Sequence, residues 1–333
     1  MPAFTPNAST ITVGELFDRW LDEAVALTVR PRTLASYTYI VRVHLRPALG
    51  DVPLASLTAQ HVQGFLNAKA ASGLAPRTVG YLRGVLRQAL GFAERMDLVG
   101  RNVARLARPP RVPRRQVSPL TLEEARLFRA AVAGDRLEAL YLVAVGCGLR
   151  QGEILGLRWG DVDLEGRTLT VRLALAREGG ELALVEPKSA TSRRTVPMPA
   201  FVVESLAAHR VGQAAEALPR RPAPPDPFAD LVFTTTLGTP LDGISVTRRF
   251  QRLLKDVGLP HQRFHDLRHA CASLLLTQGV AARVVMETLG HSQISLTLGT
   301  YSHVSPALGR AAAERMNDLL GLPGPGAAAA SAG

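Results

Sequence analysis

Four short segments hold arginines, histidines and a tyrosine, residue types that bind anions, move protons and attack electrophiles. The first is Gly146-Cys147-Gly148-Leu149-Arg150-Gln151-Gly152-Glu153. Its glycines let helices approach closely and set Arg150 where the next helix begins; alone, it reads equally as a helix corner with a surface arginine. The second is His265-Asp266-Leu267-Arg268-His269, in which His265 and Arg268 share a helix face. Leu267, Ala270, Cys271, Leu274 and Leu275 supply the buried face. His265 and His269 have the spacing of a metal-binding pair, but no third ligand follows at a recognisable distance. The third is Leu289-Gly290-His291-Ser292, where Gly290 suits the position after a helix end and puts His291 on a fixed turn. On its own it is a helix-capping histidine. The fourth runs from Ile294 to His303 around Tyr301, a tyrosine that in isolation reads as half-buried packing.

In this order the four segments resemble the tyrosine recombinase, or phage integrase, family. Its catalytic domain carries an arginine in a G-L-R-x-G-E box, then H-x-x-R, then L-G-H, then a C-terminal tyrosine followed by x-H. The matches run from Gly148 to His303, and the N-terminal helical segments are similar to the family's core-binding domain, so the resemblance covers all but the two termini. The family also uses a lysine in a turn between two strands. Glu186-Pro187-Lys188-Ser189-Ala190-Thr191-Ser192-Arg193-Arg194 matches that place and makes Lys188 the candidate. With 39 basic residues and lysine only at Lys69, Lys188 and Lys255, a lysine at that turn is notable, since its pKa can be tuned for acid catalysis and arginine's cannot.

The resemblance implies a mechanism. Tyr301 attacks a DNA phosphodiester and forms a 3′-phosphotyrosine, so the bond energy is kept and rejoining needs no ATP. Arg150 and Arg268 clamp the non-bridging oxygens and His291 adds a donor. Lys188 protonates the leaving 5′-oxygen, and His265 assists proton transfer at Tyr301. Glu153 and Asp266 orient the cations. No carboxylate cluster of the sort that holds Mg²⁺ accompanies these residues, and neither metal nor other cofactor is expected.

The elements that must position these residues are mainly helical. Thr12-Val13-Gly14-Glu15 is a capping box that opens a helix with the stripe Leu16, Phe17, Trp20, Leu21, Ala24 and Val25. Further helices are expected near 33–45, 58–71 and 75–96, with arginines between their apolar positions. The stretch 101–119, with six arginines, four prolines and no acid, reads as an extended linker. A second capping box, Thr121-Leu122-Glu123-Glu124, opens helices that reach about Trp159. Alternating residues 168–176 and 181–185 flank the Gly179-Gly180 turn, and a third strand, 194–198, completes a small antiparallel sheet. Helices follow near 200–217, 245–257, 265–278 and 281–289, then a short one with Tyr301 and a last one at 306–320. The fold class is therefore mainly α with a small antiparallel β-sheet. The resemblance divides it into a SAM-like core-binding domain (11–104), a linker (105–119) and an α+β catalytic domain (120–320), between a flexible start (1–10) and a disordered tail (321–333).

The formal net charge of +11 over 333 residues points to a polyanionic partner, although base composition or solubility alone could also produce basicity. Arg32, Arg83, Arg87, Arg108, Arg111, Arg114, Arg115 and Arg193 are the expected DNA contacts. Double-stranded DNA with specific recombination sites is the expected partner. The family works as a homo-tetramer that exchanges strands through a Holliday junction, docked through its C-terminal helix, and an accessory directionality factor is allowed for. Cys147 and Cys271 lie in apolar helical contexts and read as reduced core residues. With no signal peptide and no membrane span, the expected location is the cytoplasm.

The expected function is site-specific integration and excision by a phage or mobile-element integrase. A Xer-type chromosome-dimer resolvase shares all six positions, but the wording I-S-L-T-L-G-T-Y-S-H is closer to phage and transposon integrases. A type IB topoisomerase shares the chemistry without a second duplex, and a DNA-binding protein with a dead site lacks a reason to keep all six. Only about ten residues precede the first helix, which fits a simple-site enzyme or a trimmed chain.

Overall fold

Thr12 and Thr121 each accept a hydrogen bond from the backbone N–H three residues on, and Glu15 and Glu124 reach back to the threonine N–H, so both expected capping boxes close. They satisfy donors that every helix start leaves without a partner. The computed structural model describes residues 11–113, 119–186, 193–217 and 226–290. The chain divides into two compact units, Met1–Arg115 and Gln116–Gly333.

In the first unit α1 (Val13–Trp20) continues through a π-helical turn, Leu21–Val25, to Ala26–Thr28. α2 (Pro31–Ile40) does the same through Val41–Leu45 to Arg46–Leu49. It outruns the expected 33–45 at both ends for physical reasons. Pro31 sits where no N–H partner is needed. Pro47 removes a donor from the helix interior, and the wide turn before it accommodates that loss. α3 (Ala59–Ala71) and α4 (Pro76–Arg95) complete the unit, with α4 packed on the other three. Leu16, Phe17, Leu45, Leu66, Leu82, Val85 and Leu86 form its fully buried centre.

The stretch expected to be extended begins differently. Val103–Arg105 form a 3₁₀ turn, and Val103, Ala104 and Ala107 are buried. Arg83 donates from Nε to Ala104 O (3.0 Å) and from Nη2 to Arg105 O (3.1 Å). Gln63 accepts from Arg108 N–H (2.8 Å) and donates to Arg108 O (3.1 Å), as a neighbouring strand would. Three small apolar residues inside an Arg/Pro-rich run thus tie its first part to α3 and α4.

The second unit is built round α6 (Glu138–Cys147), which is apolar on every side and therefore central. α5 (Leu122–Val132), α8 (Ala200–Ala217) and α10 (Asp266–Thr277) pack on it. Phe128, Tyr141, Phe250 and Phe264 meet in edge and tilted ring contacts, binding α5, α6 and α9 (Gly243–Asp256) to the loop before α10. α7 (Gln151–Leu155) follows α6 directly, and α11 (Ala282–Leu289) follows α10.

The strands are antiparallel, as expected, but they make two sheets. β1 (Val162–Asp163), β2 (Thr168–Val171) and β5 (Arg194–Pro197) form one in the order β1-β2-β5. β3 (Ala174–Glu178) and β4 (Glu181–Val185) form the other. Gly179 (φ 59°) and Gly180 (φ 97°) supply the two positive φ angles of a tight hairpin turn. Leu169, Val171 and Leu175 keep one parity, which is why 168–176 reads as a single strand. The chain nevertheless breaks because α7 draws β3 away. Gly152 and Gly156 lie so close to Leu175 that an added Cβ would sit 3.0 Å from its O and 2.6 Å from its N.

Candidate active site

The end of α6 creates the first part of the site. Gly148 ends the helix in the left-handed region (φ 63°, ψ 27°), and Arg150 then caps α7. An added Cβ on Gly148 would meet Leu289 Cδ2 at 2.4 Å and Cys271 Sγ at 3.2 Å, so only glycine lets α6 end against α10 and α11. Arg150 N–H donates to Glu153 Oε2 (3.0 Å) and Arg150 Nη1 to Glu153 Oε1 (2.6 Å). The buried Glu153 carboxylate also accepts from Arg194 Nη2 (3.0 Å) and Nη1 (3.4 Å). Burial alone would raise the Glu153 pKa, but the Arg194 charge and hydrogen bonds, helped by Arg150, hold it below the ordinary value.

Three arginines meet the last turn of α11. Arg194 Nε donates to Thr288 O (2.8 Å), Arg268 Nη2 to Leu289 O (2.5 Å) and Arg150 Nη2 to Gly290 O (3.3 Å). Arg268 Nη1 also donates to Gly148 O (2.7 Å), joining the ends of α6 and α11. Carbonyls without partners at a helix C-terminus carry partial negative charge and favour cations there. The arginines differ in exposure: Arg268 is 2% exposed and the Arg194 side chain 8%, whereas the Arg150 side chain is 39% exposed. Burial, then the like charge of Arg150, lowers the Arg268 pKa to about 9, so it stays protonated at neutral pH.

His265 stands at the start of α10, its ring edge-on to His269 with centroids 5.1 Å apart. Partial burial, then the charges of His269, Arg268 and Arg150, push its pKa down to about 4. At neutral pH it is an uncharged imidazole able to accept a proton. Burial also lowers the His269 pKa.

The structure therefore brings Arg150, Glu153, His265 and Arg268 together. Lys188, His291 and Tyr301, like the expected C-terminal helix, lie outside the described residues. Asp266 is buried, and the hydrogen bonds it accepts come from Arg263, through N–H (2.8 Å) and Nη2 (2.7 Å), rather than from the site cations. Of the expected DNA contacts, Arg32, Arg87, Arg108 and Arg111 are exposed and Arg193, also exposed, pairs with Glu186. Arg83 instead holds the carbonyls of Ala104 and Arg105, fastening the 103–108 stretch to α4 as a strap, and Arg114 and Arg115 lie outside the described residues.

Arg194 is the site residue that sequence reasoning missed. A signal was there: in β5 it shares parity with the fully buried Val196, so it points inward. Cys147 and Cys271 are buried free cysteines, as expected. Among the described residues no helix is long and apolar enough to cross a membrane.

Comparison with known proteins places this geometry in a lineage. Residues 121–307 match the phage integrase family, and residues 12–70 match the N-terminal SAM-like domain of phage integrases. A tyrosine recombinase XerC-like protein of Caldanaerobacter subterraneus subsp. tengcongensis is 31% identical, over 93% of this chain and 83% of its own length. An integrase of Mycobacterium phage FRAT1 is 30% identical, over 95% of this chain and 90% of its own. Among solved structures, the Tn1549 transposon integrase in complex with transposon right-end DNA superposes with a TM-score of 0.80 at 24% identity, covering 92% of this chain and 99% of that one.

Proposed function

The chain belongs to the phage integrase family of tyrosine recombinases, and from that premise we propose that Arg150, Lys188, His265, Arg268, His291 and Tyr301 form its cleavage site. The enzyme cuts and rejoins DNA at specific sites through a covalent 3′-phosphotyrosine, in the manner of an integrase. Tyr301 oxygen attacks the scissile phosphorus, and the 5′-oxygen leaves with a proton from Lys188. His265, neutral at physiological pH, takes the tyrosine proton. The reverse attack by a 5′-hydroxyl rejoins a strand with no further energy input.

The observation that carries this reading is the meeting of Arg150 and Arg268 at one helix end, with His265 within electrostatic reach of both. A guanidinium has five N–H donors, so one side chain can hold a carbonyl and a phosphate oxygen together. As negative charge grows on the non-bridging oxygens, fixed cations need no reorganisation to meet it.

The SAM-like unit and the catalytic unit both grip the duplex, and Arg32, Arg87, Arg108, Arg111, Arg114, Arg115 and Arg193 bind its backbone. Binding then weakens steeply with salt. Four copies assemble on paired sites through the segment after Tyr301, a directionality factor biases integration or excision, and the work is done in the cytoplasm.

The test uses nicked duplexes recovered from a random-sequence pool by retention on the full chain. Wild type is expected to form a covalent DNA adduct and Tyr301→Phe none. An undiminished adduct in the variant would reject the nucleophile.

A further inference from the structure

Arg194 has no role in the chemistry just described, yet its guanidinium is tied to two of the elements that build the site. Its Nη1 and Nη2 hold both oxygens of Glu153, and its Nε holds Thr288 O. Glu153 in turn holds Arg150 through side chain and backbone. Thr288 O begins a run of three carbonyls whose other two members are taken by Arg268 and Arg150. One guanidinium on β5 is thus tied to the partner of the first clamp arginine and to the helix end that both clamp arginines grip.

Resting on the reading of Arg150 and Arg268 as the phosphate clamp, we infer that Arg194 is a positioning residue that sets the place and the charge of that clamp. Two physical arguments support the assignment. The first is geometric. Nη1 and Nη2 are given to Glu153 and Nε to Thr288 O, so all three guanidinium nitrogens already hold protein groups and the side chain acts through them. Its planar fork engages a carboxylate and a carbonyl at once, which a lysine ammonium cannot reproduce. The second is electrostatic. Glu153 is shared between Arg150 and Arg194, so Arg150 is not fully neutralised by it. Without Arg194, the carboxylate faces Arg150 alone, draws it into a closed pair and removes positive charge from the cluster. A phosphodiester bears one negative charge and develops more on its non-bridging oxygens during transfer, so the cluster would lose the surplus that stabilises that change. In sequence β5 follows Lys188 and α11 precedes His291, and the Arg194–Thr288 bond joins β5 to the end of α11.

The experiment compares full-length wild type with Arg194→Lys, which keeps the charge, and Arg194→Gln, which leaves Glu153 without its inner partner. Each is tested on the recovered nicked duplex and on the same duplex with an uncharged methylphosphonate at the scissile position. Thermal melting accompanies each assay. DNA retention is expected within about two-fold of wild type, because backbone contacts elsewhere set it. Single-turnover adduct formation on the phosphate duplex is expected to fall about 10–100-fold, as for partners that orient a reacting group from behind. On the methylphosphonate duplex, where less charge has to be met, the gap to wild type is expected to close to within about three-fold.

Wild-type rates from both variants would overturn the assignment. So would an equal loss on both duplexes, or an Arg194→Lys chain that no longer melts cooperatively, since either result makes the residue a support of the fold. A wild-type chain that forms no adduct would overturn the recombinase reading itself and this inference with it.

Discussion

Arg83 in the first unit and Arg268 in the second each give guanidinium N–H groups to two backbone carbonyls, but their surroundings differ. Arg83 is half-buried on α4 and pins a strap of its own unit. Arg268 is fully buried, joins the ends of two helices, and has Arg150 and Arg194 for neighbours. The first arrangement fastens chain to chain where water screens the charge. The second concentrates like charges where screening is poor, and the lowered Arg268 pKa registers the cost. Capping a carbonyl is a packing device in either place. On the proposed reading it becomes an anion site where cations outnumber their carboxylates, as Arg150, Arg194 and Arg268 outnumber Glu153.

The contrast can be broken most directly at Arg268. Arg268→Gln is expected to lower single-turnover cleavage about 10²–10³-fold, the loss seen when one preorganised donor to a developing oxyanion is removed. A rate within a few-fold of wild type would reduce Arg268 to the same fastening role as Arg83.

Gly148→Ala sharpens the comparison from the other side, since it moves the helix end without touching an arginine. The left-handed backbone (φ 63°) and the close approach to Leu289 are expected to cost about 1–3 kcal/mol in urea unfolding. Cleavage should fall with it, because Leu289 O is an Arg268 partner. Unchanged stability would mean that α6 and α11 do not depend on that contact.

The smallest effect is expected at Arg83. Arg83→Ala should lower stability by about 1 kcal/mol through the lost strap bonds. The slope of log affinity against log salt should not change. A slope reduced by about 0.9 would return Arg83 to the phosphate contacts and blur the distinction between the units.

Much was legible before any coordinates. Thr12 with Glu15 and Thr121 with Glu124 announce helix starts because a cap is a local bond between residues three apart. Gly179-Gly180 and Gly290 announce a hairpin and a helix end because positive φ is a property of one residue. Arg150, His265 and Arg268 could be named because they sit in short motifs whose order along the chain is itself information.

What only the tertiary structure decided are relations between distant residues of ordinary type. An arginine in a strand or helix has the same local signature whether water, a phosphate or a backbone carbonyl takes its donors. The sequence therefore could not separate Arg83, turned to its own strap, from Arg87, left exposed, or reveal Arg194 behind Glu153. The split of the sheet was hidden for the same reason. Alternation specifies which residues face the core, whereas the choice of neighbouring strand rests on two glycines of α7 lying against β3. Local chemistry is written in the order of residues; partnership between Arg83 and Ala104, or Arg194 and Glu153, exists only once the chain has closed on itself.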